Sequence, residues 1–489
     1  MKLTQLIKVL GKNLSAPASG DFEVQGIACD SQKVGQDFVF VAIRGVNFDG
    51  HKFIDEAIKR GARFVVVQRP VSASGNRDKG VMFVEVEDTR KALADLAAFF
   101  YGEPSKKLKV IGVTGTNGKT TISYLLEAIL KRAGFIPAVV GTVNYRFRDK
   151  IIVAKNTTPG PLELQALFSD MLKEKVDYAA MEVSSHALDQ KRVEGINFCA
   201  AVFTNLTQDH LDYHGTLEGY FLAKLKLFQG LSGSSRAIVN IDDPYGLRIK
   251  GLTLAKFVGY SIDNPAEVRA IDLECGITDT KFKVKAKRQT LSLRSRLIGK
   301  HNVYNILAAV AFSLKEGIEA KVIKEAIEDF VFVPGRLERI DARAGFSVFV
   351  DYAHTPDALY NVLTALRQVS LGGRIIAVFG CGGDRDKGKR PKMGQIASEL
   401  ADYVFITSDN PRSEAPEAII SDIQKGITKD NYTTEADRRQ AIERALQSAK
   451  SGDIVLVAGK GHEDYQIFKD KTIHFSDQEV VRECLRLKI

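Results

Sequence analysis

Lys119 and Thr120 are the residues of this 489-residue chain whose setting points most directly to chemistry. They close the stretch Val110-Ile111-Gly112-Val113-Thr114-Gly115-Thr116-Asn117-Gly118-Lys119-Thr120-Thr121, an apolar run ending in a glycine-punctuated turn. Beyond it Ile122, Leu125, Leu126, Ile129 and Leu130 recur at helical spacing, so a helix starts near Lys119. Strand, glycine loop and helix N-terminus together cradle a triphosphate. The loop amides point inward, the helix dipole favours anions, Lys119 neutralises the outer phosphates and Thr120 can hold Mg²⁺. The strict loop pattern would put its first glycine at Val113; glycines stand at 112 and 115 instead. ATP or GTP is the expected ligand.

Other candidates lie at the ends of apolar runs. Glu182, in Met181-Glu182-Val183-Ser184-Ser185-His186, occupies a position where a carboxylate commonly holds the Mg²⁺ of a bound nucleotide, although a surface glutamate would fit there too. His210 ends Asn205-Leu206-Thr207-Gln208-Asp209-His210 and reads either as a metal ligand or as a structural histidine. Lys224, by pattern alone, is a surface lysine in an amphipathic stretch. Four polar clusters mark the last third: Asp351–His354, Gly380–Asp386, Ser408–Arg412 and Gly459–Glu463. In an open parallel sheet, ligands bind beyond the carboxyl ends of the strands. Each cluster follows an apolar run, so the four are expected to converge on one edge as a site containing both signs of charge.

The elements that must position these residues follow from periodicity. In the last segment β-rich runs alternate with helical patterns: Ser347–Tyr352 then Pro356–Val369, Arg374–Phe379 then Lys392–Leu400, Tyr403–Thr407 then Pro416–Ile427, and Ala436–Ala449 before Ile454–Ala458. That alternation predicts a mainly parallel sheet covered by helices. The middle segment does the same, with strands near Val110–Thr114, Tyr178–Val183, Ala200–Thr204 and Ala237–Ile241. The first is shorter and mixed, with strands near Phe38–Ala42 and Phe64–Val67. Gly102–Lys107 and Val333–Arg336 break regular structure and suit domain junctions. The fold expected is α/β in three domains: a small mixed α/β domain over 1–105, a central P-loop-type parallel-sheet ATPase domain over 106–332, and a C-terminal Rossmann-like α/β domain over 333–489.

Composition narrows the class. No run of 18 or more apolar residues occurs, so no transmembrane helix is expected. The N-terminus carries lysines where a secretory signal would be apolar. Five scattered cysteines without a C-x-x-C pair favour a reducing cytoplasm over a structural zinc. The net charge of +9 suggests nucleic acid, but its cations are dispersed among acids with no RNA-binding signature. A solvated basic surface that takes anionic small substrates accounts for it, and no nucleic-acid partner is expected.

Taken together, these motifs resemble the Mur ligases, ATP-dependent amide-forming enzymes of peptidoglycan synthesis. The resemblance spans nearly the whole chain. It rests on Asp30–Val34, Phe40–Ala42, Gly45 and Asp49-Gly50; on the phosphate loop, Asn156–Gly160, Glu182–Arg192, Asn205–His214, Ala223-Lys224 and Asn302–Asn305; and on Gly335-Arg336 with the four clusters. The phosphate loop alone would not separate this family from folylpolyglutamate synthetases. Within the family, the chain is most similar to the branch that adds the third residue of the stem peptide to UDP-N-acetylmuramoyl-L-alanyl-D-glutamate (UDP-MurNAc-L-Ala-D-Glu).

The resemblance assigns roles. Ser31 resembles the uridine-site serine. Asn156, Thr157, Thr158, Ser184, Gln190 and Arg192 match positions that grip the UDP-substrate. Gly115, Thr116, Asn117, Gly118, Lys119, Thr120 and Thr121 match the ATP loop; Asn302 and Asn305 match adenine contacts, and Arg336 and Asp351 the last domain's nucleotide contacts. Thr120, Glu182, His210 and Lys224 match the magnesium site, with Lys224 as N6-carboxylysine formed with CO₂. Lys119, Glu182, His210 and Lys224 are thereby the catalytic set. Arg385, Asp409, Asn410, Arg412, Gly459 and Glu463 match the pocket for the incoming amino acid. There the Asp-Asn-Pro-Arg form goes with meso-2,6-diaminopimelate rather than L-lysine. Two departures stand out: Gln32 replaces the usual arginine of the first-domain motif, and His301 stands where the adenine motif usually has an aromatic.

The implied reaction is amide formation with ATP going to ADP and phosphate through an acyl phosphate, in a cytoplasmic monomer that closes by a hinge about Val333–Arg336. Competing expectations are the same ligase using L-lysine, a relative adding a dipeptide, and, outside the class, a phosphate-loop ATPase, kinase or nucleic-acid NTPase.

Overall fold

The computed structural model describes residues 1–11, 21–45, 49–68, 80–287, 289–342, 345–370 and 372–486. The chain divides into two compact units, 1–112 with 135–201 and 113–134 with 202–489.

The first unit opens with a four-stranded sheet in chain order: Gly26–Ala28, Phe38–Val41, Ala62–Val67 and Met82–Glu85, every pair parallel. Alternation along the strands serves two cores. Val39, Val41, Phe64 and Val66 pack with Leu93 and Leu96 of helix Thr89–Phe100, while Phe40, Val65 and Val67 pack with Ile54 and Ala57. Asp88 starts that helix by accepting from the amides of Arg90 and Lys91 at 2.9 and 3.0 Å. The remainder of this unit is built on strands Tyr178–Glu182 and Pro137–Val140, which pair in parallel, followed by an antiparallel hairpin, Asn144–Phe147 with Lys150–Val153. The expected strands near Phe38 and Phe64 are present. The hairpin is an addition that alternation of strands and helices could not reveal, because it is closed by a two-residue turn and not by a crossover helix.

In the second unit the loop after Thr114 leads into helix Lys119–Arg132. Strands Arg236–Asn240 and Lys256–Ser261 run parallel, and then Val268–Cys275, Thr280–Ala286 and Gln289–Ser295 form an antiparallel ribbon. The expectation of a mainly parallel middle sheet thus needs antiparallel additions. Thr280–Ala286 alternates buried and exposed at every step, the mark of a strand with one wet face.

The last sheet has the order Glu338–Ile340, Ser347–Asp351, Ile454–Ala458, Ile375–Phe379, Tyr403–Ile406, Tyr432–Thr434. All pairs are parallel except the first. Phe349, Ala377 and Leu456 face helices Pro356–Val369, Lys389–Leu400 and Pro416–Gln424; Val350, Val378 and Val457 face Arg438–Ser448 and Asp477–Arg486. The strand from the end of the chain lies between the first two of the βα series, so the order reverses there. Such a switch point opens a crevice at the strands' carboxyl ends.

Among the described residues, no helix is long and apolar enough to cross a membrane.

Candidate functional site

In the first unit Ser31 sits in a single turn, Ser31–Lys33, started by Asp30, whose carboxylate accepts from the Gln32 amide at 3.0 Å. The Ser31 hydroxyl is buried and donates to Glu56 Oε2 at 2.9 Å; Gln32 is exposed. Further along the same unit a second cluster gathers around Glu182, which ends its strand and is 1% exposed. Its carboxylate accepts from the Thr142 amide and from the Thr142 hydroxyl, both at 2.9 Å. The Thr142 hydroxyl also lies 3.1 Å from that of Thr157. A Cβ at Gly141 would come within 2.3 Å of Glu182 Oε1, so this glycine is what lets the carboxylate lie there.

Thr158 ties the neighbouring loop to the strand end. Its hydroxyl donates to the Glu182 carbonyl at 2.8 Å and accepts from the Ser184 amide at 3.0 Å. Ser184 caps the helix Ser185–Asp189. Arg192 donates to the Thr158 carbonyl at 3.0 Å and in bidentate fashion to Gln190 Oε1 at 3.1 and 2.7 Å. The Tyr145 hydroxyl donates to the Asn156 carbonyl at 2.6 Å. Five residues predicted for one ligand (Thr157, Thr158, Ser184, Gln190, Arg192) therefore form a connected network through Thr142 and Glu182, and a sixth, Asn156, is held next to it by Tyr145. Thr142 and Tyr145, which organise it, carried no signal in the sequence.

The second unit holds the phosphate loop. Lys119 Nζ donates to the carbonyls of Gly115 and Thr116 at 2.9 and 2.8 Å. Lys224, on helix Leu217–Gln229, donates to the same Gly115 carbonyl at 2.9 Å and lies 4.3 Å above the Tyr220 ring. Its side chain is buried, not on the surface as pattern alone suggested. Burial, and secondarily the charge of Lys119, holds its amine well below the usual lysine range. The loop is docked from two further sides. The Asn117 amide donates to Asn205 Oδ1 at 3.0 Å, and its side chain to Asp357 Oδ2 at 2.7 Å. Asp357 also accepts from the Thr207 hydroxyl at 3.1 Å. Gly118 has φ +92, and a Cβ there would meet Asn305 Oδ1 at 2.3 Å. Asn305 in turn donates to Asn302 Oδ1 at 3.0 Å, and both are buried. His301 follows Lys300 at the start of the same helix, and burial pushes its imidazole down to about 4, so it is neutral near pH 7.

His210 takes a left-handed conformation, φ +54, at the start of a one-turn helix, with its side chain 45% exposed and 3.4 Å from Asp209. It is not packed in the core, and its ring lies edge-on to that of Tyr220 at 6.1 Å.

Arg336 donates to the Thr120 hydroxyl at 3.1 Å and stacks 4.5 Å above the Tyr352 ring. Asp351, expected at the nucleotide, has both carboxylate oxygens engaged by backbone: Leu337 N–H at 2.5 Å and Ala353 N–H at 2.7 Å. Burial raises it to about 6 despite the opposing Arg336 charge. Its evident work is to hold the turn that aims Arg336. That turn is rigid: Gly335 has φ +63, and a Cβ there would meet the His462 amide at 2.1 Å.

The remaining polar clusters do converge. Asp351 is the partner of Ala458 in the sheet, and the Gly459 amide donates to the Asp351 carbonyl at 3.0 Å. Asn410 donates to Glu463 Oε2 at 2.8 Å, and its own Oδ1 accepts from Lys460 at 3.3 Å and from the Ile467 amide at 3.0 Å. Lys460, fully buried, also reaches Glu463 Oε2 at 3.2 Å, and the Tyr352 hydroxyl donates to Glu463 Oε1 at 3.3 Å. Asp409 accepts from the Asn410 amide at 2.6 Å, and a Cβ at Gly459 would lie 2.7 Å from its other oxygen. Arg412, at φ +52, donates to the Gly383 carbonyl at 2.8 Å. Burial and the neighbouring Arg385 charge lower its guanidinium. Two like charges therefore face each other across this loop, beside a carboxylate. Arg385 is exposed and donates to the Asp384 carbonyl at 3.0 Å. Lys460 and Asp357 were missed from sequence. Lys460 lay inside a cluster already singled out, and Asp357 lay in the first turn of a helix after Thr355-Pro356.

Three families match along the chain: "Mur ligase family, catalytic domain" over 23–101, "Mur ligase middle domain" over 113–313 and "Mur ligase, glutamate ligase domain" over 335–461. The chain belongs to the Mur ligase family. It is 46% identical over 466 residues, 95% of each chain, to the UDP-N-acetylmuramoyl-L-alanyl-D-glutamate–2,6-diaminopimelate ligase of Clostridium botulinum, and 45% identical over 487 residues, 99% of each, to the ligase of the same name from Clostridium tetani. A solved structure of a ligase with this name superposes with a TM-score of 0.71 at 32% identity, covering 99% of both chains.

Proposed function

We propose that this protein is an ATP-dependent ligase that joins meso-2,6-diaminopimelate to UDP-MurNAc-L-Ala-D-Glu in the cytoplasm, within the three domains 1–105, 106–332 and 333–489. The observation that carries the reading is the pocket on the last sheet. A zwitterionic distal centre needs a cation and an anion within reach of each other, and Arg412 feels the charge of Glu463 there. A guanidinium takes a carboxylate in bidentate fashion, and Glu463 takes an ammonium. L-lysine would leave the guanidinium of Arg412 without its anion, and a site built for a polar group can reject an analogue lacking it by up to ~10⁴-fold.

The chemistry runs in two steps. A carboxylate oxygen of the D-glutamyl residue attacks the γ-phosphorus, ADP leaves and an acyl phosphate forms. The amine then attacks the acyl carbon, phosphate leaves and a proton is lost. In the first step Lys119 and the loop amides Gly115–Thr121 offset the repulsion between two anions. Arg336 adds a second cation at Thr120, and Asn302 and Asn305 contact the adenine. Asp351 acts on the nucleotide through Arg336. Ser31, Asn156, Thr157, Thr158, Ser184, Gln190 and Arg192 hold the UDP-substrate, and Asp409, Asn410 and Gly459 complete the amino-acid pocket.

Among the described residues, no group of three or more His, Cys, Asp or Glu gathers to hold a metal. The residues we assign to Mg²⁺ are accordingly of mixed type: Thr120, His210 and Lys224 in the second unit and Glu182 in the first. Lys224 fits it only as a carbamate. Burial lowers its amine from the usual lysine range, which favours the neutral form that adds CO₂, and the product is a carboxylate-like anion suited to a hard cation. Magnesium would neutralise charge between the γ-phosphate and the attacking carboxylate.

Phosphate release from ATP, measured with UDP-MurNAc-L-Ala-D-Glu and each candidate amino acid, tests the reading. Release that needs both co-substrates and prefers meso-diaminopimelate supports it. Release with neither supports an ATPase, and a preference for L-lysine overturns the amino-acid assignment.

A further inference from the structure

The strand Lys150–Val153 stands last in its sheet. It pairs on one side with Asn144–Phe147 and, among the described residues, with no strand on the other. All four of its residues are exposed: Ile151 by 72%, Ile152 by 39% and Val153 by 83%. Proteins usually blunt such an edge with charge, proline or a bulge. The one cation of this strand does not guard it. Lys150 Nζ is drawn back to Glu174 at 2.8 Å and lies 5.4 Å above the ring of Phe147.

The hairpin decides which backbone groups face outward. A two-residue turn, Arg148-Asp149, joins Phe147 to Lys150, and Arg148 has the positive φ, +53, that tight hairpin turns need. Residues flanking such a turn form a hydrogen-bonded pair, and hydrogen-bonded pairs alternate along an antiparallel ladder. Lys150 and Ile152 therefore use their N–H and C=O groups on the inner neighbour. Those of Ile151 and Val153 point out of the sheet.

We propose that this edge pairs antiparallel with the same edge of a second copy of the chain, about a two-fold axis at Ile152. In that register Ile151 exchanges hydrogen bonds with the partner's Val153, and Val153 with the partner's Ile151. Ile152 meets the partner's Ile152 at a position without hydrogen bonds, where side chains approach most closely. Four exposed aliphatic side chains close on one face of the joined sheet and two on the other. The same register brings Asp149, in the turn, toward the partner's Lys155, two residues beyond the strand, and Lys155 toward the partner's Asp149. Moving the axis to Ile151 or Val153 destroys that match, so charge selects the register that the backbone permits. A four-residue strand buries less than the roughly 1,200 Å² at which stable interfaces begin, so the dimer forms by mass action at high concentration.

Sedimentation velocity of the full chain, from micromolar to hundreds of micromolar, reads the association. The expected result is a monomer that becomes a dimer as concentration rises. Ile152→Lys and Asp149→Lys each abolish the dimer, and Asp149→Lys combined with Lys155→Asp restores it. In a Cys29→Ser background, Ile152→Cys under mild oxidation gives a dimer linked through position 152, located by peptide mass mapping. Far-UV circular dichroism confirms that the variants fold. A chain that stays monomeric throughout, a dimer indifferent to Ile152→Lys, or a charge swap that fails to restore association overturns the proposal.

Discussion

Arg412 and Lys224 are single charged groups on which the proposed chemistry turns. The Arg412 side chain is held by the Gly383 carbonyl and repelled by Arg385, so a carboxylate arriving there relieves an existing repulsion. Arg412→Ala is therefore expected to raise the KM for diaminopimelate by about 10²-fold or more, the worth of a charge-assisted bidentate pair, while the KM for ATP changes little. Steady-state kinetics with each substrate varied in turn checks this; equal rises would place Arg412 outside the pocket. Lys224→Ala is expected to lower kcat by about 10²–10³-fold, as loss of an electrostatic stabiliser does. Near-normal kcat would show that its burial is structural. At this scale the sequence was legible where residue type alone implied chemistry, as with Lys119 and the Asp409–Arg412 cluster. It was illegible where a role depends on distant neighbours. Thr142 holds Glu182 across 40 residues, and Lys460 and Asp351 turn out to hold other site residues in place.

Among elements, the phosphate loop depends on a close approach that no side chain permits. Gly118 combines φ +92 with Asn305 Oδ1 at 2.3 Å from where a Cβ would stand. Gly118→Ala should cost more than about 1 kcal/mol of stability and move the helix start, so ATP-dependent turnover should fall far more than the thermal midpoint does. Unchanged turnover would count against the loop as the phosphate cradle. The final helix, Asp477–Arg486, is anchored by Asp477, which pairs with Arg438 at 2.6 and 2.8 Å, both fully buried. Asp477→Ala leaves that guanidinium buried and unpaired, and a loss of about 3–5 kcal/mol in chemical denaturation is expected. A loss under ~1 kcal/mol would mean that water reaches Arg438. The βα alternation of the last segment was readable because each strand is a short apolar run and each helix has one apolar stripe. The hairpin ending at Val153 was not, since its apolar residues Ile151, Ile152 and Val153 face water and so follow neither pattern.

For the molecule as a whole, acid sensitivity follows from the burial of two imidazoles. His301 and His354 are both pushed down to about 4, chiefly by burial. Between pH 6.5 and 4 the unfolded chain binds protons that these native imidazoles refuse. Their contribution is thus complete above pH 6.5 and is lost as the pH falls toward 4. His301→Phe should move the midpoint of acid unfolding to lower pH while leaving the KM for ATP within about threefold; an unmoved midpoint would show His301 to be solvated. We propose that closure takes place about Val333–Arg336, next to Leu337, whose N–H is tied to Asp351 of the last sheet. The most direct test of the central claim is phosphate release in the presence of ATP, Mg²⁺ and UDP-MurNAc-L-Ala-D-Glu, with meso-diaminopimelate supplied or withheld. Release that appears only with the complete set, matched mole for mole by UDP-MurNAc-tripeptide, is the predicted result; release that proceeds at the same rate without the amino acid would contradict it.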